Sequence, residues 1–205
     1  LESTTPYLRV AGESLSIGGG RGSSFTFDAI FEGASDTQQT VYDAVGAPTV
    51  SCVVSGQNVA FVACGPALAG KRWTLFGDLD TPSNHGIIPR AIAQLLATVA
   101  GRGGAVATGG EYELRLSWLE VCEERVFDLL RPGSDELQLA ESPARGQYAS
   151  GLAAVAIDSV DAAVTLLRTG ASCGRHGLSY TVLSVSVRQR RQDGSMRVAT
   201  LTAVE

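Results

Sequence analysis

Apolar positions along the chain recur either at alternate residues or every three to four residues, so the sequence predicts both strands and helices. Four segments have the alternation or the apolar content of a strand: 58–64, 112–121, 181–191 and 196–204. The first is a short apolar run between glycines, which is typical of a buried central strand. The last two are separated by Asp193 and Gly194, a pair that favours a tight hairpin turn.

Two longer segments, 87–101 and 159–170, place their apolar residues on one helical stripe. The second has Ser159 or Asp158 as its N-terminal cap and Gly170 as its stop. The other predicted elements are shorter and follow in chain order: strands around a glycine-rich turn in 7–27, an extended run at 25–31, a helix capped by Ser35 or Asp36, a second helical piece from Pro48 to Gly56, a glycine-rich linker at 101–110, and a helix or turn at 124–130. Strands and helices therefore alternate, which predicts an α/β fold with a mostly buried sheet and helices on its faces.

The composition is that of a globular protein. The 205 residues are 44% hydrophobic, which is enough for one compact core, and we expect residues 1–205 to form a single domain. The formal net charge is −5 and the basic residues are scattered, so no nucleic-acid partner is expected. The most apolar window, 151–167, is interrupted by Asp158 and Asp161, which argues against a membrane span.

The four cysteines are spread singly, without a C-x-x-C pair, and only two histidines accompany them. We therefore expect a reduced, intracellular protein without a zinc site. The chain begins with Leu1, which leads us to expect part of a longer protein.

The single lysine of the chain lies in a near match to a phosphate-binding loop. Gly65, Gly70 and Lys71 satisfy the spacing G-x-x-x-x-G-K, but Arg72 follows where that loop has Ser or Thr. The predicted strand 58–64 comes directly before this loop. That order favours a phosphate site, because backbone N–H groups converge on a phosphate in the turn after a strand. One degenerate loop is a weak indication by itself.

Five segments, in matching order and spacing, extend this indication along the chain: FTFDAIF (25–31), the Gln38, Val41 and Tyr42 triplet, SGQNVAFVACGPALAGKRWTLFG (55–77), GIIPR (86–90) and SWLEVCEERVFDLL (117–130). On these segments the chain resembles a kinesin motor domain. The resemblance implies the P-loop NTPase-like kinesin motor fold, with a central, mostly buried mixed sheet, helices on both faces, and both ends incomplete.

Kinesins bind MgATP through three elements; the resemblance implies a change in the first two and leaves the third open, because the chain stops where that element begins. In the phosphate loop, Arg72 replaces the Thr hydroxyl that ligates Mg²⁺. In switch I only Ser179 matches, as the last Ser, and the run after Gly170 is too short to hold the rest. In switch II, Glu205 stands where the family has Asp.

The resemblance leaves two interpretations of the nucleotide site open. In one, Lys71 keeps a charge for the β and γ phosphates, Trp73 packs on adenine, and Arg72 supplies the charge that Mg²⁺ would otherwise bring. In the other, Arg72 faces solvent or a carboxylate and the pocket is empty. The expected cofactor is therefore none, or weakly bound ATP or ADP without Mg²⁺. The degenerate nucleotide site consists of six residues: Gly65, Gly70, Lys71, Arg72, Trp73 and Ser179.

The implied function is a non-catalytic, microtubule-associated scaffold without catalytic residues, a pseudoenzyme; the alternative is a divergent ATP-dependent microtubule motor. The implied partners are microtubules, tubulin or a microtubule-associated complex, in a cytoplasmic and cytoskeletal setting such as the spindle or axoneme. Segment 141–159 resembles a tubulin-contacting segment of kinesins, but Arg145 is its only base, which implies weak affinity. The oligomeric state stays open.

Four acidic residues cluster at and after the end of the predicted strand 112–121: Glu120, Glu123, Glu124 and Asp128. Paired carboxylates suit acid–base catalysis. We interpret them instead as a solvated face.

Overall fold

The computed structural model describes residues 8–18, 22–33, 35–102, 111–143, 146–174, 179–191 and 193–205. The chain divides into two compact units, 1–37 and 38–205, which are described separately. A single domain over the whole chain stays a prediction. Among the described residues, no helix combines the length and the apolar content needed to cross a membrane.

The first unit contains a small antiparallel sheet of β1 (Leu8–Ala11), β2 (Ser14–Ile17) and β3 (Ser23–Thr26). Gly12 has a φ of +60° at the turn between the first two strands, a conformation that glycine adopts without strain. The extended run predicted at 25–31 is a strand only as far as Thr26.

The second unit is built on a mixed sheet of six strands among the described residues: β4 (Val59–Val62), β5 (Tyr112–Cys122), β6 (Arg125–Asp128), β9 (Val155–Ile157), β10 (Ser179–Arg190) and β11 (Met196–Val204). The strand order is β4-β11-β10-β5-β6, with β9 paired to β5. A separate antiparallel pair consists of β7 (Leu139–Ser142) and β8 (Gly146–Ala149). Within the larger sheet, β4 and β11 pair in parallel and the other neighbours pair antiparallel, so the predicted mixed sheet is confirmed.

The helices of this unit are α1 (Gln38–Val41), which continues through a π-helical turn (Tyr42–Gly46) into α2 (Ala47–Val54), then α3 (Lys71–Leu75), a 3₁₀ turn (Pro82–Asn84), α4 (Ile87–Gly101) and α5 (Val160–Cys173). The second helical piece predicted from Pro48 is therefore joined to the first. Pro48 is the second residue of α2, directly after the π-helical turn, and it has no N–H to donate to that turn.

One apolar core lies between these helices and one face of the sheet. Along β5, every second side chain is buried, from Tyr112 to Cys122, and the residues between them are half-buried. From the helical side, α4 contributes Ile88, Ile92 and Leu95, all without exposed surface. The predicted alternation of apolar residues therefore corresponds to packing against the core. In the packed unit, the start of β10 and the ends of β11 and α5 lie near the loop after β4.

Two predicted boundaries are confirmed in detail. The Ser159 hydroxyl caps α5 by accepting a hydrogen bond from the backbone N–H of Ala162 at 3.3 Å. At the hairpin between β10 and β11, the Asp193 carboxylate accepts from the N–H of Ser195 at 2.8 Å, and Gly194 has a φ of +81°.

Three other predictions are wrong. Among the described strands β4 lies at the edge of the sheet, with Val62 64% exposed, because an apolar run does not distinguish edge from centre. Helix α5 continues past Gly170 to Cys173. Segment 124–130 contains the strand β6, since Glu123 and Glu124 make a two-residue turn at φ of +51° and +65°, a conformation that glutamate seldom adopts.

Candidate functional site

The loop 63–70 joins β4 to α3 and has the strand–loop–helix arrangement of a phosphate-binding loop. The parallel pairing continues into its first residue, because the N–H of Ala63 donates to the carbonyl of Val204 at 2.9 Å. The loop turns at three residues with positive φ, which are Gly65 at +152°, Leu68 at +63° and Gly70 at +86°. The two glycines are thus required by the backbone, as the sequence motif implies.

The Lys71 side chain folds back over this loop. Its Nζ donates hydrogen bonds to the carbonyl oxygens of Gly65 at 3.0 Å and Pro66 at 2.8 Å. Both acceptors are neutral, so the ammonium charge is not cancelled by them. A phosphate at the loop would compete with two backbone carbonyls for the hydrogen bonds of this ammonium group, and with the charge of the nearby Glu205 carboxylate.

The Arg72 side chain reaches two elements that are distant in sequence. Its Nε lies 3.9 Å from Oε2 of Glu205, directly after β11, and its Nη2 donates to the carbonyl of Ala171 in α5 at 3.4 Å. Both contacts are long, and the Arg72 side chain is 53% exposed. Burial raises the pKa of the Glu205 carboxyl, while Arg72 and Lys71 oppose that rise. Glu205 is therefore a partly buried acid facing two cations.

A cavity of about 460 Å³, here called the larger cavity, opens beside these residues. At its lining the Ser179 hydroxyl donates to Oε1 of Glu120 at 2.8 Å. Its lining includes six residues with charged, hydroxyl or aromatic side chains suited to a binding site: Lys71, Arg72, Trp118, Glu120, Ser179 and Glu205. Three of the predicted site residues, Lys71, Arg72 and Ser179, are thus brought together with three that the prediction did not include.

A second cavity of about 340 Å³, the smaller cavity, lies along the loop itself. It is lined by Leu68, Ala69, Gly70, Lys71, Arg72 and Glu205. Its charged lining is two cations and one carboxylate, so it carries a net positive charge when all three are ionised.

Trp73 and Gly65 line neither cavity. Gly65 acts through the course of the loop and through its carbonyl, which Lys71 contacts. The Trp73 side chain is about half exposed, and its carbonyl accepts a hydrogen bond from Nε2 of Gln38 at 2.8 Å. A role of Trp73 in packing on adenine stays a prediction.

The interpretation of the acidic cluster as a solvated face is wrong for two of its four members. Glu120 and Asp128 are 1% and 4% exposed, whereas Glu123 and Glu124 lie on the surface. The Asp128 carboxylate accepts hydrogen bonds from the N–H groups of Leu130 and Ala153, both at 2.8 Å. It thus fixes two backbone segments. The alternation along β5 could have located Glu120, which is in phase with the buried apolar positions of that strand.

The residues at this site do not fit Mg²⁺ as phosphate-loop enzymes hold it. Those enzymes use a hydroxyl directly after the lysine and an acid at the end of a neighbouring strand. Here Arg72 takes the first position, and a guanidinium group has only donors. The nearest hydroxyl on α3, that of Thr74, donates to the carbonyl of Gly70 at 3.3 Å. Within the described residues, no group of three or more His, Cys, Asp or Glu side chains is arranged to hold a metal ion.

The family model that describes the kinesin motor domain matches residues 12–200. The chain belongs to the kinesin motor family. It is 32% identical over 197 residues to a kinesin heavy chain of Botryotinia fuckeliana, an alignment that covers 91% of this chain and 22% of the relative. It is 34% identical over 148 residues to a kinesin heavy chain of Neurospora crassa, covering 72% of this chain and 15% of the relative.

A solved structure of a fast kinesin has the same fold. Its TM-score is 0.86 and its sequence identity is 28%, and the match covers 98% of this chain and 59% of that one. The expected kinesin motor fold is therefore confirmed. The chain spans about a fifth, or less, of the length of the two curated kinesins.

Within this kinesin fold, two of the five motif segments contain elements of the candidate site. Segment 55–77 contains β4, the loop and α3, and segment 117–130 contains the second half of β5 together with β6. Segment 86–90 opens α4, where the Arg90 Nε donates to the carbonyl of His85 at 2.7 Å. The resemblance therefore rests in part on residues of the site itself, in segments 55–77 and 117–130.

Proposed function

We propose that this chain is a non-catalytic kinesin-like module that attaches to microtubules, or to a complex on them, and that it no longer hydrolyses ATP. The observation that carries the proposal is Arg72, which stands between Glu205 and the carbonyl of Ala171. It takes the sequence position from which a hydroxyl ligates Mg²⁺ in phosphate-loop enzymes. A side chain without acceptor atoms cannot take over that ligand's task.

Loss of hydrolysis follows from how phosphoryl transfer is catalysed. The reaction depends on positioning and on groups that neutralise charge as it develops, and removing one such group typically costs about 10²–10³ in rate. The Ser179 hydroxyl, matched to the last serine of switch I, donates to the buried Glu120 carboxylate. The predicted shortening of switch I also involves residues 175–178, which lie outside the described residues. These changes act on one step, so we expect hydrolysis to be negligible.

Microtubule attachment is carried over from the family. The solved fast kinesin is described for its ATPase mechanism and its interactions with microtubules, and we propose that only the second applies to this chain. The one base of segment 141–159, Arg145, lies outside the described residues. With a net charge of −5, the chain offers little electrostatic attraction of its own to an acidic partner, so we expect weak affinity. The proposed setting is the cytoskeleton of the cytoplasm, in the spindle or axoneme.

The test combines microtubule co-sedimentation with an ATPase assay on the purified protein. Sedimentation is measured in ADP, in a non-hydrolysable ATP analogue and without nucleotide. We expect equal binding in the three conditions and no phosphate release above that of a Lys71→Ala variant. A working kinesin motor domain serves as the positive control. Microtubule-stimulated hydrolysis that the Lys71→Ala change abolishes would falsify the proposal.

The alternative, a divergent ATP-dependent motor, is favoured by one observation. The loop 63–70 lies between a strand and a helix, and Lys71 lies at the start of α3, as a phosphate loop requires. The same experiment separates the two functions, because a motor predicts binding that changes with the nucleotide and phosphate release that rises with microtubule concentration.

A further inference from the structure

Two adjacent cations, Lys71 and Arg72, line both the larger and the smaller cavity. In the smaller cavity, the charged group that faces them among the described residues is the Glu205 carboxylate. The smaller cavity therefore has a net positive charge when all three groups are ionised, whereas the larger cavity also contains the Glu120 carboxylate. Both cations belong to the first turn of α3, so the backbone of the loop fixes where their side chains begin.

The present partners of both cations are weak enough to be exchanged for a phosphate. The Arg72 guanidinium is 3.9 Å from Glu205 and 3.4 Å from the Ala171 carbonyl, and its side chain is half exposed. An exposed ion pair of this kind contributes little. Among the described residues, the Lys71 ammonium group donates hydrogen bonds to two neutral carbonyls. A phosphate offers the guanidinium two charged oxygens in a matching fork, which is a stronger arrangement than either present contact.

We propose that Arg72 takes over the role of the divalent cation, so that this site binds the polyphosphate of a nucleoside di- or triphosphate without a metal ion. This inference rests on the proposed function because both treat the same site as unable to hydrolyse ATP. Lys71 and Arg72 then hold neighbouring phosphates, and Glu205 stays behind the guanidinium as its counter-charge. Mg²⁺ lowers the negative charge of the nucleotide, so it weakens this binding.

The experiment measures binding of ADP, ATP, inorganic pyrophosphate and AMP to the purified protein by calorimetry, once with excess EDTA and once with excess Mg²⁺. We expect ADP, ATP and pyrophosphate to bind in EDTA at least as tightly as in Mg²⁺, and AMP to bind at least about tenfold more weakly, since it has one phosphate for two cations. Arg72→Thr, which restores a hydroxyl at that position, is expected to lose about tenfold or more of the affinity in EDTA.

The matched control is Arg168→Thr, on the exposed side of α5. Arg168 is paired with Asp80 at 2.8 Å and lines neither cavity, so this change removes an arginine without touching the site. It is expected to keep wild-type affinity in both buffers. Thermal unfolding of both variants checks that any loss of affinity does not come from loss of the fold.

The outcomes separate this inference from the proposed function. Three results would overturn the metal-free site without affecting the proposed non-catalytic module: binding that requires Mg²⁺, binding of AMP as tight as that of ADP, and no binding in either buffer. Turnover of ATP overturns the non-catalytic module, and tight binding in EDTA would still support the site. An Arg72→Thr variant that binds in EDTA like the wild type also overturns the inference.

Discussion

Gly170 lies in the last turn of α5, directly against the indole ring of Trp118. A Cβ at position 170 would come 2.2 Å from Cε3 and 2.6 Å from Cζ3 of that ring. Ordinary carbon contacts are about 3.5–4.0 Å, so the ring would have to move by more than about 1 Å. Trp118 is 1% exposed and stacks on Phe76 with ring centroids 5.0 Å apart, so such a movement disturbs the core.

The Gly170→Ala change therefore sets two effects against each other. Alanine in place of glycine inside a helix stabilises by about 1 kcal/mol. Overpacking a close-packed core costs about 1–3 kcal/mol, and a contact as short as this one belongs at the upper end. We expect a net decrease of about 2 kcal/mol in the free energy of unfolding.

Urea unfolding measures this decrease, with Gly101→Ala as the matched control. Gly101 ends α4, and a Cβ there meets no heavy atom within 4 Å, so the control should lie within about 0.5 kcal/mol of the wild type. Adding Trp118→Phe to Gly170→Ala should cost less than the sum of the two single changes. The indole Nε1 has no hydrogen-bond partner among the described residues, so the phenyl ring loses only volume. Equal stability of the Gly170→Ala and Gly101→Ala variants would refute the reasoning.

Three further predictions concern buried polar groups. Ser179→Ala removes the hydroxyl that donates to Glu120 and should lower the free energy of unfolding by about 1.5–3 kcal/mol in urea; a change below about 0.5 kcal/mol would contradict this. Asp128→Asn weakens two backbone hydrogen bonds and should cost about 2 kcal/mol, whereas the exposed Glu124→Gln should leave the urea midpoint unchanged. Burial raises the pKa of Tyr42 from 10.0 to about 12, so the unfolded chain ionises first, and stability should fall as the pH rises from about 10 to 12. Tyr42→Phe should reduce that decline, and an identical pH profile of the variant would count against the assignment.

The sequence predicted the loop and its neighbours well because they depend on local features. Two glycines at positive φ, an apolar strand before them and a lysine after them define the turn within a few residues. The hairpin at Asp193 and the cap at Ser159 are equally local, and both have the predicted geometry. Local backbone requirements leave a clear signal in residue type.

Contacts between distant segments left no such signal. Arg72 meets Ala171 across 99 residues, and neither residue type predicts the other. Glycine often follows a helix, which predicts a stop at Gly170, but here Gly170 makes room for the Trp118 ring. The interpretation of the acidic cluster as a solvated face is wrong for Glu120, whose position in the alternation of β5 puts it inside. Residue type alone therefore does not predict contacts and burial that depend on tertiary packing.

The two parts of a phosphate site depend on different properties of the chain, and this explains how one can change without the other. The cradle of the loop follows from backbone conformation, which Gly65, Gly70 and the pairing of β4 with β11 maintain. One of the metal ligands is a single side chain directly after the lysine, and here Arg72 takes its position. A single substitution can thus remove a metal ligand, leave the cradle, and add a fixed positive charge beside it. Binding of a polyphosphate and its hydrolysis then become separate properties of the site, so each has to be measured independently of the other.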